Sequence, residues 1–345
     1  MSILGTRTSL PNFWSRLAFR TLILLGNLGR GALLVWGMLA IYWSNLPWGG
    51  LRVILAGVFG VVGVLGLVRM PRRRGWLLFG LLLTLVVIWQ ASIQPSNARD
   101  WRPEVAVLPG VSMDGDRVKL TGVRHFDYRT KSDFTVRYEE REVQLSHLQA
   151  VDFFISYWEA DGDVGHTFVS FVFDNAPPVC ISIEARLEKG ETYSVIATCF
   201  KQAELIYVVG DERDIVRVRT NYRDEDVYLY RTRATPEQAR ALFLSYLKSI
   251  NRLAGHPEFY SPLSNNCTVN IDRHAHNQGR GGPFDIRLLL NGHVDGLMYE
   301  RHLLDTSVPF DQMRARSSIT AKARKADGDI HFSQRIREGL AAPGF

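Results

Sequence analysis

GALLVWGMLAIYWSNLPW at residues 31–48, VILAGVFGVVGVLGLV at 53–68 and WLLFGLLLTLVVIWQASI at 76–93 are three apolar runs of 16 to 18 residues. Each is at the short end of what crosses about 30 Å of hydrocarbon. Arg52 and Arg69 flank the second run and can snorkel to the interface, which lengthens it. Trp36, Trp43, Trp48, Trp76 and Trp89 fall mostly near the run ends, as an aromatic belt does. The reading is a three-helix transmembrane anchor over residues 1–94. Gly57, Gly60, Gly63 and Gly66 in the middle run permit close helix contact.

Charge separates this stretch from the rest of the chain. Residues 1–94 hold nine Arg and no Lys, Asp or Glu, whereas the whole chain of 345 residues is only +6. Residues 95–345 are therefore net acidic, which argues against a nucleic-acid partner. Arg7, Arg16, Arg20 and Arg30 precede the first run, and Arg72, Arg73 and Arg74 separate the second from the third. The positive-inside rule predicts both regions on the cytoplasmic side. Three spans then deliver everything after Gln94 to the far side.

Residues 95–117 read as a polar linker and domain entry, 118–309 as one folded domain, and 310–345 as a polar, basic C-terminal tail, docked or loose. Strands are predicted at Val118–Val123, Val143–Leu145, Ala150–Trp158, His166–Phe173, Val179–Glu184, Glu204–Val209, Ile215–Thr220 and Val227–Tyr230. A helix is predicted from the cap Thr235 and Pro236, a short one near Cys267, and another over Phe284–Leu290 that stops at Asn291-Gly292. His302 is placed in a further helix. Strands first and helices after give an α+β class.

Three Cys exclude a disulfide-dense scaffold and a four-cysteine zinc site. Cys180 and Cys199 lie beside strands and are either bridged or buried thiols. Cys267 sits in Ser264-Asn-Asn-Cys-Thr268, where a loop becomes a helix, and the dipole and free N–H groups there favour a thiolate. The same N–H groups can hold an oxyanion, with Asn265 or Asn266 beside them. A thiolate needs a base. His166 opens a strand after the loop Asp161–Gly165, whereas His274 and His276 lie about 10–13 Å along the helix from Cys267. The turn Asp174–Pro178 makes 166–184 a hairpin whose register brings Glu184 opposite His166, where a carboxylate can orient the imidazole. Arg186, Arg219 and Arg223 are candidates for holding phosphate head groups. Asp161 and Asp163 resemble part of a calcium loop but lack its terminal Glu. There is no HExxH, CxxC, Gly-rich phosphate loop or GxSxG, so no metal and no cofactor are expected.

Eight segments together resemble one family: HFDYRT at 125–130, YEER at 138–141, SYW at 156–158, HTF at 166–168, IEAR at 183–186, ELIYVV at 204–209, RTNYR at 219–223 and NNCT at 265–268. They are similar to the periplasmic domain of the lipoprotein N-acyltransferase (Lnb) family over roughly Phe126 to Tyr299. The resemblance implies a papain-like thiol site with the His strand before the Cys helix, the order of the permuted cell-wall amidase and lecithin–retinol acyltransferase group. It implies Cys267 as nucleophile and His166 as base, with membrane phospholipid and lipid-modified protein as partners. The three-span anchor is not part of what defines that family. The expectation is a thiol acyltransferase in a bacterial inner membrane, N-terminus cytoplasmic and catalytic domain periplasmic. A cell-wall amidase or endopeptidase using the same pair, and a non-catalytic tethered binding domain, stay open.

Overall fold

The computed structural model describes residues 13–159 and 162–340; Arg7 and Asp161 lie outside them. The chain divides into two units, 1–94 and 95–345.

The first unit is three helices, α1 (Phe13–Tyr42), α2 (Gly49–Arg69) and α3 (Arg72–Ser92), each long and apolar enough to cross a membrane. The first span is displaced from its predicted position. It covers Leu17–Tyr42, and Trp43–Trp48 is the turn that follows. Pro47 biases its predecessor away from the helical region, so the apolar run outlives its helix. Arg20 and Arg30 consequently sit within α1, with the Arg30 guanidinium over the Trp76 ring at 4.1 Å. Of the four glycines in α2, Gly60, Gly63 and Gly66 are buried and Gly57 faces open space. A Cβ on Gly63 would meet the Leu34 side chain at 2.5 Å, so any larger residue there would force Leu34 to move.

The second unit is built on an eight-stranded sheet. Its strands are β1 (Gly110–Asp114), β2 (Arg117–Arg124), β5 (Tyr138–Gln144), β6 (Leu148–Tyr157), β7 (His166–Phe173), β8 (Val179–Arg186), β9 (Glu204–Gly210) and β10 (Asp226–Arg231). The short pair β3 (Asp127–Tyr128) and β4 (Phe134–Thr135) stands apart. The order is β1-β2-β9-β8-β7-β6-β10, with β5 also paired to β2. All neighbours are antiparallel except β2 and β9, which meet in parallel at Arg124 and Gly210. Between strands and after them run α4 (Val195–Thr198), α5 (Glu212–Arg217), α6 (Pro236–Gly255), α7 (Cys267–His276), α8 (Val294–Glu300), α9 (Phe310–Ser317), α10 (Thr320–Lys325) and α11 (Phe332–Arg335).

Strands β6 and β9 are buried along nearly their whole length, because helices cover both faces of the sheet. On one face Phe153, Ile155, Val169 and Phe171 pack with Phe243, Tyr246 and Leu247 of α6 and with Cys267. On the other, Phe154, Phe168 and Ile206 pack with Ile215, Ile319, Phe332 and Ile336. Helix α6 starts where its signals say. Thr235 and Gln238 form a reciprocal capping box with Pro236 in the first turn, an arrangement worth about 1 kcal/mol.

Three predicted elements differ. Ile215–Thr220 is not a strand: α5 runs into a π-turn over Val218–Tyr222, capped by Asp211 and carrying Glu212 and Asp214 in its first turn. A short apolar run cannot distinguish a buried strand from a buried helix, and the acidic cap decides it here. Phe284–Leu290 holds only a 3-10 turn, Ile286–Leu288. His302 lies past the end of α8 with φ +55°. The stretch read as a linker is tied down: Arg99 pairs with Glu188 and Glu204, and Asn97 donates to the Leu253 carbonyl. The tail region is helical and docked through Ile319, Ala323, Phe332 and Ile336, all fully buried.

Candidate active site

Antiparallel alternation puts residues 166, 168 and 170 of β7 on one face and 167, 169 and 171 on the other. The β7–β8 register pairs Phe168 with Ser182, and its continuation sets His166 against Glu184. Ser182 and Glu184 share the face of His166, and the three side chains meet. His166 Nε2 lies 2.7 Å from Ser182 Oγ, and Ser182 Oγ donates to Glu184 Oε1 at 2.7 Å. The direct distance from Nε2 to Glu184 Oε1 is 3.9 Å. Glu184 therefore addresses the imidazole chiefly through a serine hydroxyl.

Charges set the protonation of this chain. Burial alone would raise Glu184, but Arg219, His166 and Arg124 pull it down to about 2. Arg219 donates to Glu184 Oε1 at 3.0 Å and reaches Glu225 at 3.3 Å. Burial pushes His166 down to about 3, with Arg219 and Arg223 adding to the effect and Glu184 opposing it. An ionised carboxylate only accepts, so the one Ser182 proton goes to Glu184 and Ser182 must accept from Nε2–H. This fixes the neutral tautomer with its lone pair on Nδ1, the nitrogen a base would use.

The thiol comes from the other side of the sheet. Asn266 caps α7, its Oδ1 accepting from Val269 N at 2.8 Å, so Cys267 is the first helical residue. Cys267 is 3% exposed. The polar neighbours of its Sγ are Asn291 Nδ2 at 3.7 Å and Thr268 Oγ1 at 3.8 Å. No hydrogen bond joins Cys267 to His166 among the described residues. Both, however, line one cleft of about 590 Å³ together with Glu184, Arg219, Arg223, Asn266 and Asn291.

A residue that sequence reasoning did not single out holds the two halves together. Asn291 Oδ1 accepts from the Gly165 N–H at 2.9 Å, and its Nδ2 donates to Thr268 Oγ1 at 2.8 Å. It thus bridges the residue before His166 and the residue after Cys267. Thr167 and Thr268 also meet, Oγ1 to Oγ1, at 2.9 Å. Gly292 completes the approach: a Cβ there would lie 2.1 Å from the Gly162 carbonyl oxygen. In the sequence Asn291-Gly292 carries only the signal of a helix stop, which hides this bridge. Ser182 was also passed over, although its place two residues before Glu184 puts it on the same face.

Other candidates are placed elsewhere. Arg186 does not line the cleft. It is buried, donates to the Val105 and Ala106 carbonyls at 2.8 Å each and to Asn97, and stacks on Trp101. Its length and five donors serve to fasten the entry segment, so it does not offer them to a head group, contrary to the sequence expectation. Asn265 faces away as well: it donates to the Phe259 carbonyl at 2.9 Å and accepts from Asn270 at 3.0 Å. Asn266 lines the cleft, but its amide donates to the Pro262 carbonyl at 2.6 Å. Arg223 is the most open cation of the group, its side chain 36% exposed and 4.0 Å from Glu225. His274 is held between Tyr207 OH at 2.9 Å and Ser245 Oγ at 2.7 Å. Cys180 and Cys199 are free thiols, the first buried and the second exposed. His125, Glu139 and Asp211 have the spacing of metal ligands, yet Arg141 already pairs with both carboxylates at 2.6 and 2.8 Å. That positive charge makes the cluster a poor cation site.

Residues 134–292 match the family described as the Lnb N-terminal periplasmic domain. His166, Ser182, Glu184, Arg219, Arg223, Cys267 and Asn291 all fall inside the matched stretch. No curated protein and no solved structure matches the chain. This stretch is thus similar to the Lnb N-terminal periplasmic domain, and the chain also holds three candidate membrane spans.

Proposed function

We propose that the chain is a membrane-bound thiol acyltransferase, with a Cys–His pair in papain-like roles acting on ester-linked acyl groups. The observation that carries this reading is the shared cleft. A buried cysteine at a helix N-terminus and an imidazole held in its Nδ1-basic tautomer line the same space. Cys267 Sγ attacks the ester carbonyl of a phospholipid or lipid-modified protein. As the C–S bond forms, the thiol proton passes to His166 Nδ1, by direct contact or through one water. The developing oxyanion is met by the backbone N–H groups that open α7 and by Asn291 Nδ2. Collapse breaks the ester C–O bond, and the leaving alcohol takes the proton from His166. An incoming amine then attacks the thioester and gives a proton to His166. The C–S bond breaks, the thiolate recovers that proton, and the acyl amide leaves.

Glu184, acting through Ser182, orients His166 and offsets the charge it gains. Arg223, with Arg219 behind it, offers a place for a phosphate. Apolar walls including Ile183, Leu187 and Leu289 favour an acyl chain over a wall peptide. The Arg72–Arg74 cluster between the second and third spans favours the cytoplasmic side, which puts the N-terminus of this inner-membrane anchor in the cytoplasm and the cleft in the periplasm.

The test is intact-mass measurement of the full chain after incubation with phospholipid. The expected result is one acyl adduct, removed by hydroxylamine and absent from Cys267→Ala. An unmodified protein, or an adduct that persists in Cys267→Ala, overturns the reading.

A further inference from the structure

The lip of the cleft is unusual for a face meeting water. Trp158, Val164, Val195, Leu263, Ile286 and Leu290 all line the cleft, and each is between 42% and 67% exposed. They come from five separate places: the loop after β6, the start of α4, the loop before α7, the 3-10 turn at Ile286–Leu288, and the segment after it. None of the six carries charge. Monomeric domains seldom gather this much exposed apolar surface in one patch unless something covers it. One of them is a Trp, the side chain enriched where hydrocarbon meets head groups.

The covalent chain says what is near enough to do the covering. Helix α3 ends at Ser92, and the Ser96 N–H already donates to Glu204 Oε1 at 3.1 Å. Four residues of chain reach at most about 14 Å. Arg102, only ten residues past Ser92, lines the cleft itself. A domain tethered this tightly cannot leave the bilayer that holds its spans.

We infer that the apolar lip is a bilayer-docking surface: these six side chains enter the outer layer of the membrane that holds α1–α3, so that the cleft is filled from the lipid side. The inference rests on reading this cleft as the reactive site. The occupant it commits to is a phospholipid surface, with the burial of apolar area as the driving term. Inside the lip, Arg223 stands where a head-group phosphate would meet a cation.

The test uses the full chain with Cys267→Ala, in nanodiscs of phosphatidylethanolamine and phosphatidylglycerol. The discs carry a phospholipid with a diazirine high on one acyl chain. After irradiation and digestion, adducts are mapped by mass spectrometry. The expected pattern is adducts on peptides holding Trp158–Val164, Val195, Leu263 and Ile286–Leu290, besides those on the spans. Val195→Asp, Leu263→Asp and Ile286→Asp combined should cut the lip adducts at least fivefold and leave span adducts unchanged. Adducts confined to the spans, or domain adducts away from the lip, overturn the inference. So do lip adducts that survive the triple change. Should the triple variant fail to fold, the map of the parent protein alone decides. Because the thiol is absent throughout, the map does not depend on acyl transfer, and failure of the thioester reading is seen separately by intact mass.

Discussion

His166 and His274 are both buried and both held below the ordinary imidazole range, to about 3 and about 4. Burial dominates in each case, with nearby guanidinium groups adding to it. They differ in what their nitrogens do. His274 spends both, on Tyr207 and on Ser245, and stacks on Tyr246 at 4.0 Å between centroids. His166 spends Nε2 on Ser182, and its Nδ1 makes no hydrogen bond among the described residues, at a cleft it shares with a thiol. A perturbed pKa therefore does not by itself mark a base, whereas the proposed function needs a spare ring nitrogen.

The largest expected contrast comes from removing each ring. His166→Gln should lower acyl transfer about 10²–10⁴-fold, the range for loss of a general base. His274→Gln should leave transfer by the folded protein within about threefold. Equal losses in steady-state assays of the purified variants would break the comparison. Next is Ser182→Ala, which cuts the path from His166 to Glu184 and leaves the tautomer unfixed. About tenfold slower alkylation of Cys267 by iodoacetamide is expected; an unchanged rate would mean that Glu184 acts without the serine.

Acid should then distinguish the pair from ordinary imidazoles. Each is held below its unfolded value, so the unfolded chain binds more protons as pH falls from 6.5 toward 3 or 4. Stability is therefore complete above about 6.5 and declines through that window. Glu184, lowered to about 2, adds a further loss below 4.5. Thermal melts of the full chain in detergent between pH 3 and 7 read this, and each His→Gln change should flatten the decline. The smallest effect is on stability at neutral pH: His274→Gln should cost about 1–3 kcal/mol by leaving buried hydroxyls unpartnered.

Much of this was legible in the chain. Period-two runs gave β6–β9 almost to the residue, and Asp174–Pro178 placed His166 opposite Glu184. The cap at Thr235 marked α6, and Asn266-Cys267 marked the start of α7. What was hidden depends on contacts distant in sequence. Asn291 joins residues 165 and 268, a link no local pattern encodes. Arg186 is two residues past Glu184 on the same strand, β8, so local sequence leaves it a candidate cation. Only the docked segment 97–106 shows that its donors are already used. The first span was misplaced because apolarity continues past Tyr42, whereas helix formation does not.

The segment after Phe310 has a consequence for how the domain matures. Ile319 N donates to the Val227 carbonyl and Thr320 Oγ1 accepts from Val227 N, both at 2.9 Å, so residues 318–320 cap the outer edge of β10. Arg337 then neutralises Asp152 and Glu212, whose side chains are wholly buried. Until residues 318–337 have emerged and docked, β10 presents an uncovered edge, a ready template for other chains to pair with. Shortening the protein from this end should thus make the sheet-bearing unit aggregate before it disturbs the thiol.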